Sequence, residues 1–171
     1  MTTDRSPGVT DGPPETAAAR VRRTPAVSCV FVCHDGHGKV LLARRGAGAR
    51  DEPGTWDCGA GALEYGESFE TAVSREVREE YSANVLEVET IGVRNVLRAE
   101  LDSHWVAVVF AVRVDPAEVA IGEPHKFDRL DWFSPEALPG PLHSQLVETF
   151  LLFQAWRERN TRREGDTSPE G

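Results

Sequence analysis

Three glutamates, Glu76, Glu79 and Glu80, stand at i, i+3 and i+4 within Ser74-Arg75-Glu76-Val77-Arg78-Glu79-Glu80. On a helix turning ~100° per residue, this spacing gathers them within about a third of the circumference. Like charges at i,i+4 destabilise even an exposed helix by ~0.2–0.5 kcal/mol. A bound divalent cation relieves that repulsion. Hard ions such as Mg²⁺ take carboxylate oxygens and are commonly completed by substrate phosphates. Such a face suits metal-assisted attack of water on a phosphate ester or anhydride, the ion offsetting charge that builds on the phosphoryl oxygens. A solvated charged helix face is the plain alternative for this run taken alone.

The helix that must carry these residues runs over Phe69–Tyr81, with Ser68 as its N-cap. Val73, Val77 and Tyr81, at i+4 steps, form its packing stripe, and the glutamates lie along the edge of that stripe. Upstream, Ala26–Val32 and Lys39–Arg44 read as a hairpin through the turn His34–Gly38, followed by a Gly-rich loop over Gly46–Thr55 and an extended piece at Trp56–Leu63. Downstream, Val85–Val96 reads as one long strand or two, and His104–Val114 is too apolar to alternate, as in a strand covered on both faces. Pro116–Lys126 is a loop and Leu130–Phe133 a short strand. Ser134-Pro135 opens a turn of helix, and Leu142–Trp156 is a final amphipathic helix with Leu142, Leu146, Phe150 and Phe153 inward.

At 171 residues the chain fits one domain, placed at residues 24–156, with tails 1–23 and 157–171 expected to be disordered from their composition. The net charge is −9; the N-terminal 24 residues carry +1 and residues 157–171 carry zero, which leaves −10 on the core. That balance disfavours duplex nucleic acid, whose binding rests on Lys and Arg at phosphates. It suits a site that recruits cations first and phosphates through them. No stretch approaches the ~20 apolar residues of a membrane span, and the N-terminus lacks a signal-peptide core, so a cytoplasmic location is expected. Cys29, Cys33 and Cys58 do not form a disulfide framework, and their spacing matches no standard zinc site.

The fixed offsets around the glutamates carry a resemblance. Gly61, Glu67, Arg75, Glu76, Val77, Glu79 and Glu80 fit the Nudix box, and Trp56–Gly61 is similar to its Trp-x-x-Pro-Gly-Gly lead-in with the Pro and one Gly replaced. Ser82 stands where that family has Gly, and Ala83 where it has a larger aliphatic residue. The resemblance implies an α/β/α sandwich around a mixed sheet. It implies Glu76, Glu79 and Glu80 as ligands of Mg²⁺, for which Mn²⁺ substitutes, with the Ala60 carbonyl as another contact and Glu123 as a late ligand from a loop. It implies that Arg75 pairs with Glu67. The family's Gly at position 82 implies a left-handed cap at Ser82; the alternative is that the helix runs on by a residue or hands the cap to Asn84. Glu64, Glu76 and Glu123 all stay open as the catalytic base.

Recognition is less sharply written. Arg45, ending a Leu-Leu-x-x-Arg pattern, faces substrate in similar proteins; an exposed strand-end arginine is the plain alternative. His104-Trp105 and Glu123–Lys126, followed by Trp132-Phe133, resemble segments of the MutT-like nucleoside-triphosphate group. Trp56 or Trp105 could stack on a base, although core packing is the default for such residues. The expected function is hydrolysis of a nucleoside triphosphate, damaged or modified ones included, to monophosphate and pyrophosphate. Two alternatives stand beside it: a pyrophosphatase of nucleotide sugars or other nucleoside diphosphate derivatives, and a ligand sensor without turnover. The partner is a small nucleotide; the sequence leaves a homodimer open.

Overall fold

The computed structural model describes residues 24–99 and 102–166. Its elements run β1 (Ala26–His34), β2 (Val40–Arg45), β3 (Trp56–Asp57), β4 (Gly59–Ala62), α1 (Phe69–Tyr81), β5 (Val85–Arg98), β6 (Ser103–Val114), β7 (Phe127–Phe133) and α2 (Leu146–Asp166). The strands form one mixed sheet in the order β3-β2-β1-β6-β5, with β4 added on β1 and β7 on β2. The β1–β6 pair is parallel and the other ladders are antiparallel.

Strand alternation divides the core in two. Cys29, Phe31, Cys33, Val108, Phe110 and Val112 face α1 and meet Val73, Val77 and Tyr81. Val32, Val109 and Ala111 face the other way and meet Leu146, Phe150 and Phe153 of α2. A strand buried on both faces cannot alternate apolar with polar residues, which accounts for the unbroken apolar run of β6. The result is the expected α/β/α sandwich. The cysteines are free and buried in its core layers.

Several boundaries differ from the sequence reading. The extended piece after the Gly-rich loop splits into β3 and β4 around Cys58, and β7 begins at Phe127. Helix α2 starts at Leu146, because Leu142 is bridged to Trp56 and the His143 amide donates to the Trp56 carbonyl at 2.9 Å. It continues to Asp166, so residues 157–166 are helical instead of tail. That extension is polar all round, held locally by bonds such as Thr161 Oγ1 to the Arg157 carbonyl, and so gives no apolar period to read. Ser134-Pro135 opens a turn closed by the Ala137 amide on the Ser134 carbonyl, not a helix. Residues 1–23 and 167–171 lie outside the described residues.

Candidate active site

Helix α1 is set by its two ends. The Ser68 hydroxyl accepts the Thr71 amide at 3.2 Å. Ser82 caps the other end at φ +53°, its amide donating to the Arg78 carbonyl. With Val73, Val77 and Tyr81 buried on the sheet, residues 76 and 80 fall at the rim of the buried stripe. Glu80 is fully buried, whereas the Glu79 side chain is 54% exposed.

The loop before α1 is tied to the helix by a fork. Arg75 Nε binds Glu67 Oε1 at 2.9 Å and its Nη2 binds Glu67 Oε2 at 3.1 Å. The same guanidinium reaches Glu76 Oε1 at 2.6 Å, Glu79 Oε2 at 3.5 Å and the Ala62 carbonyl at 3.1 Å. Only a planar five-donor group can serve that many acceptors at once. The hydrogen bonds from Arg75 hold Glu67 below the usual carboxylate range, and the bond to Glu67 raises Arg75 in turn.

Strand β4 lies under the carboxylates because it presents glycine to them. A Cβ at Gly61 would stand 1.8 Å from Glu76 Cδ, and one at Gly59 would stand 2.7 Å from Glu80 Oε2. Glu76 and Glu80 therefore straddle Ala60, whose side chain points away by alternation. Glu80 Oε1 is bonded to the Lys126 ammonium, which also sits 3.3 Å from Glu123 Oε2. Glu80 Oε2 is buried with no hydrogen-bond partner among the described residues. Burial pushes the Glu80 carboxyl up to about 8; Lys126 opposes the shift, and Glu76 and Glu123 add to it.

This donor set suits a hard divalent cation. Glu76, Glu80 and the Ala60 backbone supply oxygen donors around one stretch of β4, and the orphaned Glu80 oxygen lacks the partner that a buried charge demands. Arg75 and Lys126 are ion-paired with these carboxylates. Accordingly, no three His, Cys, Asp or Glu side chains among the described residues converge at metal-binding geometry.

The other predicted residues distribute unevenly. Glu123 joins the cluster through Lys126, and Glu64 is exposed beside it, its amide donating to Glu67 Oε2 at 3.1 Å. Arg45 is 11% exposed and is held by Asp51 and Asp57. Trp56 is buried in the α2-side core, edge-on to Phe133 at 5.0 Å. Trp105 shares that side of β6 by alternation, while His104 is exposed and meets Asn95 Oδ1 at 3.2 Å. Two features were missed. Lys126 ends the Glu123–Lys126 segment, and nothing in its neighbouring residues marks it as the partner of Glu80, 46 residues earlier. The partly buried network of Arg45, Asp51, Asp57, Arg98 and His143 ties the 46–55 loop to β5 and to the approach to α2, through contacts of long sequence separation.

Comparison with known proteins places the chain. The NUDIX domain model matches residues 22–153. Among curated proteins, it is 37% identical over 83 residues to an isopentenyl-diphosphate Delta-isomerase of Leifsonia xyli, covering 46% of this chain and 43% of that protein. It is 36% identical over 107 residues to the NAD-capped RNA hydrolase NudC of Pseudomonas aeruginosa, covering 63% of this chain and 35% of that one. The match spans less than half the length of either relative. Among solved structures, a MutT NUDIX hydrolase from Burkholderia pseudomallei superposes with a TM-score of 0.68 at 28% identity, covering 75% of this chain and 98% of its own. With the family model spanning most of the chain and the Glu67–Arg75 fork setting the glutamates of α1 over β4, this protein belongs to the NUDIX domain family.

Proposed function

We propose that the protein is a Mg²⁺-dependent pyrophosphohydrolase that cleaves a nucleoside triphosphate to the monophosphate and pyrophosphate. One observation carries the reading: Glu76 and Glu80 are held on either side of Ala60 by the packing of α1 on glycine-only positions of β4. Glu76, Glu79, Glu80 and the Ala60 carbonyl would hold the cation, with Glu123 nearby. When bound, the ion supplies charge neutralisation for the phosphoryl oxygens and acidifies a water.

The rest falls to the chain's own groups. Arg75 fixes Glu76 by taking Oε1, which leaves Oε2 to accept the proton of the attacking water. The water oxygen bonds to one of the two phosphorus atoms of the α–β anhydride, the bridging P–O bond breaks, and the departing group, pyrophosphate or nucleoside monophosphate, takes the electron pair. Glu67 holds no substrate in this scheme; it keeps Arg75 oriented. The acidic core disfavours duplex nucleic acid as partner, and among the described residues no helix is long and apolar enough to cross a membrane.

The NudC relatives, named for hydrolysing NAD-capped RNA, favour a second reading, in which the cleaved bond joins two nucleoside monophosphate units. A Mg²⁺-supplemented panel of nucleoside triphosphates, nucleotide sugars and NAD, with products identified by mass, separates the two by leaving group. Glu80→Gln is the control. No turnover on any member would turn the assignment to a sensor, and equal turnover by folded Glu80→Gln would overturn Glu80 as a metal ligand.

A further inference from the structure

The chain carries only two lysines, Lys39 and Lys126, among nineteen Lys and Arg residues, and one of the two stands in the carboxylate site. Lys126 is not a loose surface cation. The loop that bears it is pinned under the end of α1, with the Ala120 amide on the Tyr81 carbonyl at 3.0 Å and the Gly122 amide on the Glu80 carbonyl at 2.9 Å. Gly122 is so close that a Cβ there would lie 2.0 Å from the Glu79 carbonyl oxygen. The Lys126 amide donates to the Glu123 carbonyl at 2.9 Å, and its carbonyl accepts the Gly46 amide at 2.8 Å. Its ammonium lies 5.0 Å from the centroid of the buried Phe127 ring. With the side chain 27% exposed, the ammonium bonds Glu80 and neighbours Glu123.

We infer that Lys126 is a built-in counter-ion that occupies Glu80 in the metal-free protein and competes with the divalent cation for that carboxylate. The inference rests on the metal site proposed above. Glu80 is fully buried, and a buried carboxylate needs a cation beside it. A lysine and a divalent ion on one carboxylate repel each other at such short range. Loading therefore favours release of Glu80 by Lys126, which leaves a positively charged group beside the site where a polyphosphate would arrive. Lysine suits this role better than arginine: its single, compact ammonium lets go of one oxygen, whereas a guanidinium fork would grip both. A chain that otherwise uses arginine almost throughout has lysine here. Lys126 is thus a positioning residue that tunes cation affinity.

The test uses the whole chain without substrate. Protein with ¹³Cε-labelled lysine gives two side-chain resonances, assigned with Lys126→Arg, and is titrated with Mg²⁺. The Lys126 signal should move and saturate, while exposed Lys39 stays still as an internal control. Mn²⁺ affinity, read by electron paramagnetic resonance, should weaken about fivefold or more in Lys126→Arg and stay equal or tighten in Lys126→Met. A merely structural lysine predicts the reverse: no change for Arg, which keeps the charge, and a weaker site for Met. An unmoved Lys126 resonance at saturating Mg²⁺, or that reversed order of affinities, overturns the inference alone. Failure of the wild type to bind either ion overturns the metal site itself and the inference with it. If Lys126→Met does not fold, the resonance and the Arg variant still decide.

Discussion

Gly61→Ala should silence the site without unfolding the domain. The added methyl would stand 1.8 Å from Glu76 Cδ and 1.9 Å from Oε1, and both atoms are the far end of a flexible side chain. Glu76 swings away and gives up its 2.6 Å bond to Arg75. For a pair still partly wet, that loss is worth ~1 kcal/mol. Replacing glycine by alanine in extended backbone returns ~0.4–1 kcal/mol through the unfolded state. The net change stays within ~1 kcal/mol, a shift of ~2–4 °C in melting temperature. Turnover, in contrast, should fall on the order of 10²–10⁴-fold, because a metal ligand or base has left its place. Gly59→Ala is the counterpart with the opposite signature. Its Cβ would stand 2.0 Å from Phe31 Cε2, and that ring is fully buried, edge-on to Tyr81 at 5.8 Å. The ring has nowhere to go, so overpacking of ~1–3 kcal/mol should lower melting by several degrees. Scanning calorimetry of the metal-free proteins and Mg²⁺-dependent turnover of each variant read the two effects separately. If Gly61→Ala kept more than about a tenth of wild-type turnover, the placing of Glu76 over β4 would have no catalytic meaning, and a stability loss above ~3 kcal/mol would show that Glu76 cannot swing aside.

Ser82→Gly should stabilise the fold by up to ~1 kcal/mol in urea denaturation at unchanged slope, since an L-residue at φ +53° carries strain that glycine does not; a destabilised variant would refute this. The raised Glu80 carboxyl makes a signed pH prediction. A group whose folded pKa lies above its unfolded value gives stability that is complete below the unfolded value and lost as pH rises through the folded one. Melting temperature of the metal-free protein should therefore fall between about pH 4.5 and 8, and Glu80→Gln should flatten this slope; identical pH profiles for both proteins would refute it. At the other end of the molecule, Trp156→Ala should cost ~2–3 kcal/mol, losing the indole bond to Glu89 and the ring contacts with His34 and Phe153. A stop after Arg159 should change stability by less than ~0.5 kcal/mol, because the side chains described beyond it are largely exposed; a larger loss in calorimetry would mean that the end of α2 packs on the domain.

What could be read from the sequence followed the range of the interactions. Helix α1 is local: its cap at Ser68 and its Val73–Val77–Tyr81 stripe follow from neighbours within a few residues, and the left-handed end at Ser82 lies where the resemblance put it. Glu67 and Arg75 meet because a short loop leaves them little choice. The start of α2 was misplaced because Leu142 keeps the helical apolar period yet is claimed by Trp56, 86 positions earlier. The end of α2 was missed for the opposite reason, there being no apolar face to announce it. Lys126 and Glu80 are separated by 46 residues, and nothing local marks their pairing. Arg45 shows the same limit, since its position at a strand end was plain, but the carboxylates that hold it arrive from a loop and from β3.

The centre of the sheet has a kinetic consequence. In the parallel ladder of β1 and β6, Ala26 lies opposite Trp105 and His34 opposite Arg113, a constant offset of 79 residues. The β1–β2 hairpin joins His34 to Val40 across only six. By the logarithmic law of loop closure, the long pairing is entropically dearer than the hairpin by ~2 kcal/mol. Topology of this kind slows folding. A chain emerging from the ribosome can close its first hairpin early, but β1 must wait on one side until β6 has been synthesised. Until then the Cys29–Cys33 stretch, destined for the middle of both core layers, has an open edge available to any other extended chain.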